Sequence, residues 1–454
     1  MKDILKRGPS RPALHPWLTE LPATWSTGPL KRFITRMDSG VSVNAFDIPA
    51  EEGQLGVLKT SCVYSGKFNP TQNKTVIEPE RDLVACPVRV GTLIVSRMNT
   101  PDLVGAAGLV QEAAPDLYLP DRLWQITFHG LEPRFAHYWT QSRVYRAAVN
   151  AACAGTSASM QNLSQDDLRG FPIAAPGWQI QVQLADLLDR DTTRIDALIE
   201  KKTRFIDLLR EKRQALITQA VTRGLDSTVP MKDSGVEWLA TIPTHWEVTR
   251  LRFVIGWFEQ GWSPECFAFP AGFGEWGIVK AGCLNGGVFN PTENKRLPDE
   301  LDPRSEIEIR PGDVLMSRAN GSVDLIGSVA RATETEARLM LSDKIFRLNL
   351  RPDWDAEFFV LAMQSSAVRE QIRLTISGAE GLANNLAQAS IKDFQVAQPP
   401  IGEQAMLVKE VKLQVERLDR LCAKTEAVAS LLRERRSALI TAAVTGQIDV
   451  REPA

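Results

Sequence analysis

The sequence predicts a mixed α/β chain made of two copies of one unit, each copy a globular domain followed by a long helix. Three observations predict it. FNPTQNK at Phe68–Lys74 returns as FNPTENK at Phe289–Lys295, a shift of 221 residues. LLREKRQALITQAVTRGLD at Leu208–Asp226 returns as LLRERRSALITAAVTGQID at Leu431–Asp449, a shift of 223 with 13 of 19 positions identical. Residues 180–222 and 403–445 hold no Gly or Pro and keep a helical apolar period, whereas the segments before them mix short apolar runs with Gly, Pro and Trp. A period this long is a duplicated domain with its tail, since solenoid units run to roughly 20–50 residues.

Composition bounds the rest. A chain of 454 residues with 44% hydrophobic and 24% charged residues is long enough for two to four domains with cores of their own. The net charge of −2 means that any basic surface is local and balanced elsewhere. Six cysteines, Cys62, Cys86, Cys153, Cys266, Cys283 and Cys422, form no CxxC pair and read as reduced thiols of a cytoplasmic protein. MKDILKRGPSRPALHPW at the N-terminus has no continuous apolar core, and no run of eighteen apolar residues occurs, so neither a signal peptide nor a membrane span is expected.

The pattern divides the chain into a tail over 1–16, a first globular domain over 17–178, a first long helix over 179–226 and a linker over 227–237. A second domain over 238–400, a second helix over 401–449 and a tail over 450–454 follow. In the domains, WLTELPATW at Trp17–Trp25 matches WLATIPTHW at Trp238–Trp246, and LKTSCVYSGKFNP at Leu58–Pro70 matches VKAGCLNGGVFNP at Val279–Pro291. VGTLIVSRMN at Val90–Asn99 matches PGDVLMSRAN at Pro311–Asn320, each an apolar strand ending in S-R-x-N.

Alternating steps of four and three place Leu184, Leu188, Asp191, Ile195, Leu198, Lys202, Phe205, Leu209, Lys212 and Leu216 on one stripe of the first helix. The same frame gives Leu407, Val411, Gln414, Leu418, Leu421, Thr425, Val428, Leu432, Arg435 and Leu439 in the second, with polar breaks in the same slots. A seam of this length, about 50 Å at 1.5 Å per residue, is too long for a small domain to cover. The expected partner is the other copy. An antiparallel coiled coil packed through Leu188, Ile195, Leu198 and Leu209 against Val411, Leu418, Leu421 and Leu432 makes a pseudo-twofold repeat with the globular domains at opposite ends. The alternative is that each helix packs on its own domain.

Catalytic constellations are missing. There is no GxxxxGK[ST] phosphate loop, and His15, His129, His137 and His245 form no HExxH pair, so neither a nucleotide nor a metal is expected on this chain. AGFGEWG at Ala271–Gly277 reads as a turn. The recurring chemistry suits binding. Arg and Asn read guanine and adenine edges by paired hydrogen bonds, which makes Arg97, Asn99, Arg318 and Asn320 candidates for base contact. Lys59, Lys74, Lys280 and Lys295 are candidates for phosphate. The arginines serve equally well to brace their own domains, and the loops that differ between copies, 113–119 and 331–339, are equal candidates for reading. Arg210–Arg213 and Arg433–Arg436 read as a solvated helix face, and Ser377–Asn384 as a loop before the last strand.

Taken together, SGVEWLATIPTHWEVTRLR at Ser234–Arg252, PGDVLMSRANG at Pro311–Gly321, the run Asn385–Gln404 and the twin LLRE(K/R)R helices resemble the specificity subunits of type I restriction-modification systems along nearly the whole chain. That resemblance implies two target-recognition domains, each reading half of a split DNA target, held by an antiparallel helical spacer. It implies two modification subunits carrying S-adenosylmethionine and the methyl-transfer site, restriction subunits carrying the ATP- and Mg-dependent motor and nuclease, and no catalysis by the chain itself. The first copy departs from the second where Val90-Gly91-Thr92 replaces Pro311-Gly312-Asp313 and where Thr156–Asn162 lacks a glycine. A duplicated coiled-coil scaffold whose domains bind other proteins is the competing expectation.

Overall fold

A computed structural model describes residues 10–15, 18–22, 24–153, 159–377 and 385–448. The tract Ser377–Asn384 therefore falls outside the described residues from 378 onward, and Thr156–Asn162 does so over 156–158, with Gln161–Asn162 a short strand. The fold mixes helix and strand. The chain divides into two compact units, Met1–Thr203 with Ala427–Ala454, and Arg204–Glu426. Both division points fall inside the long helices Trp178–Arg223 and Ile401–Val444.

In the first unit a four-stranded antiparallel sheet runs in the order Ala107–Leu109, Leu93–Ser96, Leu123–Phe128, Ile34–Ser39. All four residues of Leu93–Ser96 are buried, as expected of an uninterrupted apolar run with a strand on either side. A second sheet joins Leu117–Tyr118, Gly56–Leu58, Asn73–Val76 and Ala45–Phe46. The core contains Trp124, Phe135, Trp139 and Tyr145, together with Leu184 and Leu188 of the first long helix and Ile440, Ala443 and Val444 of the second.

The second unit repeats this order. Its four-stranded sheet runs Ile255–Gln260, Ile345–Leu350, Val314–Ser317, Val329–Arg331, and its smaller sheet joins Arg338–Met340, Trp276–Val279 and Asn294–Arg296. Its core contains Trp246, Phe346, Phe358 and Phe359, together with Ile217, Ala220 and Val221 of the first long helix and Leu407, Val408 and Val411 of the second.

A buried glutamine near the start of each long helix ties it to its own unit. Gln181 accepts from the Glu132 N–H at 2.8 Å and donates to the Pro176 and Gly130 carbonyls at 2.8 and 3.2 Å. Gln404 accepts from the Asp355 N–H at 2.8 Å and donates to the Pro399 and Asp353 carbonyls at 2.9 and 3.1 Å. Glu132 and Asp355 in turn cap the helices Pro133–Thr140 and Ala356–Gln364, each accepting from N–H groups of the first turn.

The buried stripe of the long helices differs from the expected one at alternate positions. Leu188, Thr192, Ile195, Ile206, Leu209 and Ile217 are buried along the first helix, with Ile199, Lys202 and Arg213 partly covered. Val411, Thr425, Ala429 and Ile440 are buried along the second, with Val415, Leu418, Cys422, Leu432 and Arg436 partly covered. Leu198 and Leu421 are 39% and 42% exposed, and their inward places are taken by Ile199 and Cys422. The reason is local. Where two consecutive residues are both apolar, as in Leu198-Ile199, Phe205-Ile206, Leu421-Cys422 and Val428-Ala429, a four–three count fits either one, and the two point about 100° apart.

Candidate nucleic-acid interface

Each unit carries the two groups of residues singled out from the sequence, and the fold treats them differently. The S-R-x-N segments leave the central strands Leu93–Ser96 and Val314–Ser317. Asn99 is buried, donating to the Tyr64 hydroxyl at 2.7 Å and accepting from the Thr100 N–H at 2.9 Å. Asn320, partly covered, donates to Asn285 Oδ1 at 3.5 Å and accepts from the Ser322 N–H at 3.4 Å. These asparagines shape their own loops, and in this arrangement Asn99 offers no amide edge to a base. Arg318 donates to Asn385 Oδ1 at 2.9 Å and lies over the Phe346 ring at 5.3 Å. Arg97 is partly covered, and its buried Nε has no hydrogen-bond partner among the described residues.

Two further arginines, not singled out by the sequence reading, hold the loops that follow. Arg369 donates to the carbonyls of Ile326 at 2.5 Å, Asp324 at 2.9 Å and Val323 at 3.3 Å, and burial lowers its pKa from the ordinary guanidinium value. Arg146, which lies 223 residues earlier, donates to the Val104 carbonyl at 2.8 Å. A cavity of about 480 Å³ opens beside Arg369, lined also by Arg213, Gln364 and Arg373. The repeat would have flagged both arginines, because they match at the same shift as the helices.

The lysines stand on or just after strands of the smaller sheets, Lys74 on the interior strand Asn73–Val76 and Lys295 on the edge strand Asn294–Arg296. Lys59 and Lys280 precede short 3-10 turns, and their N–H groups donate to the Gln72 and Glu293 carbonyls, each at 2.9 Å. Lys74 pairs with Val57 across the sheet and Lys295 with Ile278, an equivalent register. The charges are answered unequally. Lys59 and Lys74 both reach the Asp47 carboxylate, whereas Lys280 lies 3.8 Å from Glu293 and Lys295 is exposed with no ion pair among the described residues. Beside these lysines stands an exposed apolar ridge that the sequence reading did not recognise: Phe46 and Ile48 in the first unit, Phe267 and Phe269 in the second.

Cys62 and Cys283 are fully buried, and desolvation pushes each thiol up to about 12. No disulfide joins the cysteines, and no group of His, Cys, Asp or Glu suited to a metal ion occurs among the described residues. Within Ala271–Gly277 the chain turns at Phe273-Gly274 and then enters the strand Trp276–Val279, with Gly274 at φ 71° donating to the Glu336 carbonyl at 3.0 Å. None of the described helices is long and apolar enough to cross a membrane.

Comparison with known proteins gives a consistent picture. No family model matches the chain. It is 23% identical over 413 residues to the type I restriction enzyme EcoKI specificity subunit of Escherichia coli strain K12, covering 87% of this chain and 82% of that one. It is 23% identical over 424 residues to the StySPI specificity subunit of Salmonella potsdam, with the same coverage. A 27% match to the EcoEI specificity subunit of Escherichia coli spans 205 residues, 45% of this chain and only 34% of that relative's length. In three dimensions the fold resembles a chain from a study of complex assembly and conformational transition of the type I R-M system, with a TM-score of 0.63, 17% identity, and coverage of 94% of this chain and 99% of the other.

Proposed function

We propose that this homologue of the type I restriction specificity subunits is the DNA-reading, non-catalytic subunit of such a system, with each globular domain reading one half of a split target. The observation that carries the reading is the extent of the relationship: two specificity subunits match along 87% of the chain, through both copies of the repeat. The two units support it by sharing one strand order and by placing lysines beside an exposed apolar ridge. The same similarity to specificity subunits weighs against the scaffold alternative.

The long helices are proposed to pair antiparallel. Within the second unit, Arg210 of the first helix meets Glu426 of the second at 2.9 Å, while Arg213 meets Asp419 at 3.2 Å, so residue numbers rise on one helix as they fall on the other. The partners proposed are two modification subunits, which bring S-adenosylmethionine, and restriction subunits, which bring ATP and Mg, all acting on cytoplasmic DNA. Support for paired docking comes from exposed apolar side chains in equivalent places, Leu198, Phe205 and Leu208 on one helix and Leu421, Val428 and Leu431 on the other.

The test is to express the chain with its modification subunits in a host free of adenine methylation and to sequence the methylome. The expected result is a methylated motif of two short half-sites separated by unread base pairs. A continuous motif, or methylation indifferent to the presence of this chain, would sink the proposal.

A further inference from the structure

In the first unit, Lys59 Nζ and Lys74 Nζ lie 2.6 and 3.4 Å from the same Asp47 oxygen. Both ammonium groups converge on a point where a single anion sits. The carboxylate belongs to a loop side chain with 69% of its surface exposed, so the anion site is open to solvent. The two lysines, first Lys59 and then Lys74, hold the Asp47 carboxyl below its ordinary pKa, which keeps it charged at neutral pH.

The second unit builds the same frame without the carboxylate. The Thr75 N–H donates to the Ile48 carbonyl at 2.9 Å in the first unit, and the Arg296 N–H donates to the Phe269 carbonyl at 3.0 Å in the second. Phe46 pairs with Thr75, and the Phe267 N–H donates to the Arg296 carbonyl at 3.1 Å. This register puts Ala268 where the first unit has Asp47, between two exposed apolar side chains in each case. Phe267 and Phe269 stack with centroids 5.4 Å apart, and Arg296 lies over Phe267 at 5.6 Å. Arg296 is itself paired with Glu275 at 3.0 Å and Asp299 at 2.8 Å, so the second ridge is aromatic and its unanswered charge is that of Lys295, while in the first unit Asp47 answers both lysines.

We propose that each lysine pair is a clamp for one phosphodiester group of the DNA backbone, and that Asp47 occupies the clamp of the first domain while Ala268 leaves that of the second open. The proposal rests on the DNA-reading function above. A phosphate entering the first clamp must displace a carboxylate that is already paired, whereas in the second it meets Lys295 unpaired and Lys280 held only loosely by Glu293. The second domain thus takes the larger share of the sequence-independent affinity, and the first depends more on contacts to its own half-site.

Salt dependence reads this directly, because each neutralised phosphate adds about 0.9 to the slope of log affinity against log salt concentration. The full chain, alone and with its modification subunits, is titrated with a duplex carrying the split target over a potassium chloride series. Asp47→Asn keeps the shape and removes the charge. It is expected to tighten binding about two- to fivefold, the reciprocal of an exposed ion pair's strength, and to steepen the slope by about 1. Ala268→Asp, at an exposed position, is expected to weaken binding by a similar factor and to flatten the slope by about 1. Wild-type binding with no change of slope in Asp47→Asn overturns the clamp while leaving the DNA-reading function standing. Absence of any DNA binding by the wild-type complex overturns both.

Discussion

Arg436 Nε lies 2.8 Å from Asp196 Oδ1, joining the second long helix to the first, and the residues 223 positions away complete the converse pair. Arg213 of the first helix meets Asp419 of the second at 3.2 Å. Donor and acceptor have exchanged helices, which is the pattern the proposed antiparallel pairing calls for within each unit. Arg436 also donates to Gln141 at 3.0 Å, and Asp196 receives Lys67 at 3.5 Å, so the pair sits in a network. Double-mutant cycles to alanine at both pairs are expected to give coupling of about 0.5–1 kcal/mol, with the less exposed Asp196–Arg436 pair the stronger. Coupling near zero at both would remove these ion pairs as evidence for helix pairing.

Replacing Gln404 with Leu, which is close in size, orphans the Asp355 N–H and the Pro399 and Asp353 carbonyls at a fully buried position. Unsatisfied buried groups cost about 1–3 kcal/mol each way the loss is counted, so urea denaturation of Gln404→Leu should show a destabilised chain. Gln404→Glu retains one acceptor but buries a charge, and is expected to be worse at neutral pH than at acid pH.

Gly40 and Gly261, 221 residues apart, each approach a backbone carbonyl so closely that a Cβ would overlap it, at Leu119 and Leu341 respectively. No rotamer change relieves such a contact. Alanine at either site should destabilise its own unit by about 1–3 kcal/mol or more, measured by thermal melting and by limited proteolysis confined to that unit. Equal stability of Gly261→Ala and wild type would show that the strand ends do not meet as described.

His137 donates from Nε2 to the Gly66 carbonyl at 2.6 Å, and desolvation lowers its pKa below the ordinary 6.5. The unfolded chain therefore binds a proton that the folded chain refuses as pH falls below about 6.5, and stability is lost toward acid and regained above that value. His137→Gln should flatten this limb, by at most about 1.4 kcal/mol per pH unit. A pH–stability curve with the same acid slope in both proteins would exclude His137 as its source.

The repeat was legible because it is written in letters, from the FNPT loops to the LLRE helices, and the four-stranded sheets of the two units agree with it in order. Strand order was not, since apolar runs mark strands without saying which neighbours they take. The candidate bases-readers illustrate a different limit. Asn99 follows a strand, where a polar side chain is expected to project, yet it turns inward to the Tyr64 hydroxyl, a contact between residues 35 apart in sequence, with Ser96 beside it. Asp47 escaped notice because its meaning lies in the comparison with Ala268, and neither residue forms part of a matching run. On the helices, adjacent apolar residues hid which of two stripes faces inward.

That second stripe supplies the last prediction. Phe205 and Leu208 on the first helix, and Val428 and Leu431 on the second, are exposed, while Ile206, Leu209 and Ala429 beside them are buried. Residues three apart on a helix share a face, so each exposed pair forms one apolar patch that water should not favour leaving bare. If the patches dock modification subunits, Phe205→Glu with Leu208→Glu should leave melting within about 0.5 kcal/mol of wild type, as for surface changes generally. The assembled complex should then lose one of two modification subunits, seen as a fall in mass by native mass spectrometry. Val428→Glu with Leu431→Glu should lose the other, and the fourfold variant both. Substituting the buried neighbours, for example Ile206→Glu, should instead lower stability without this stepwise stoichiometry. Retention of two modification subunits by the fourfold variant would place docking elsewhere on the chain.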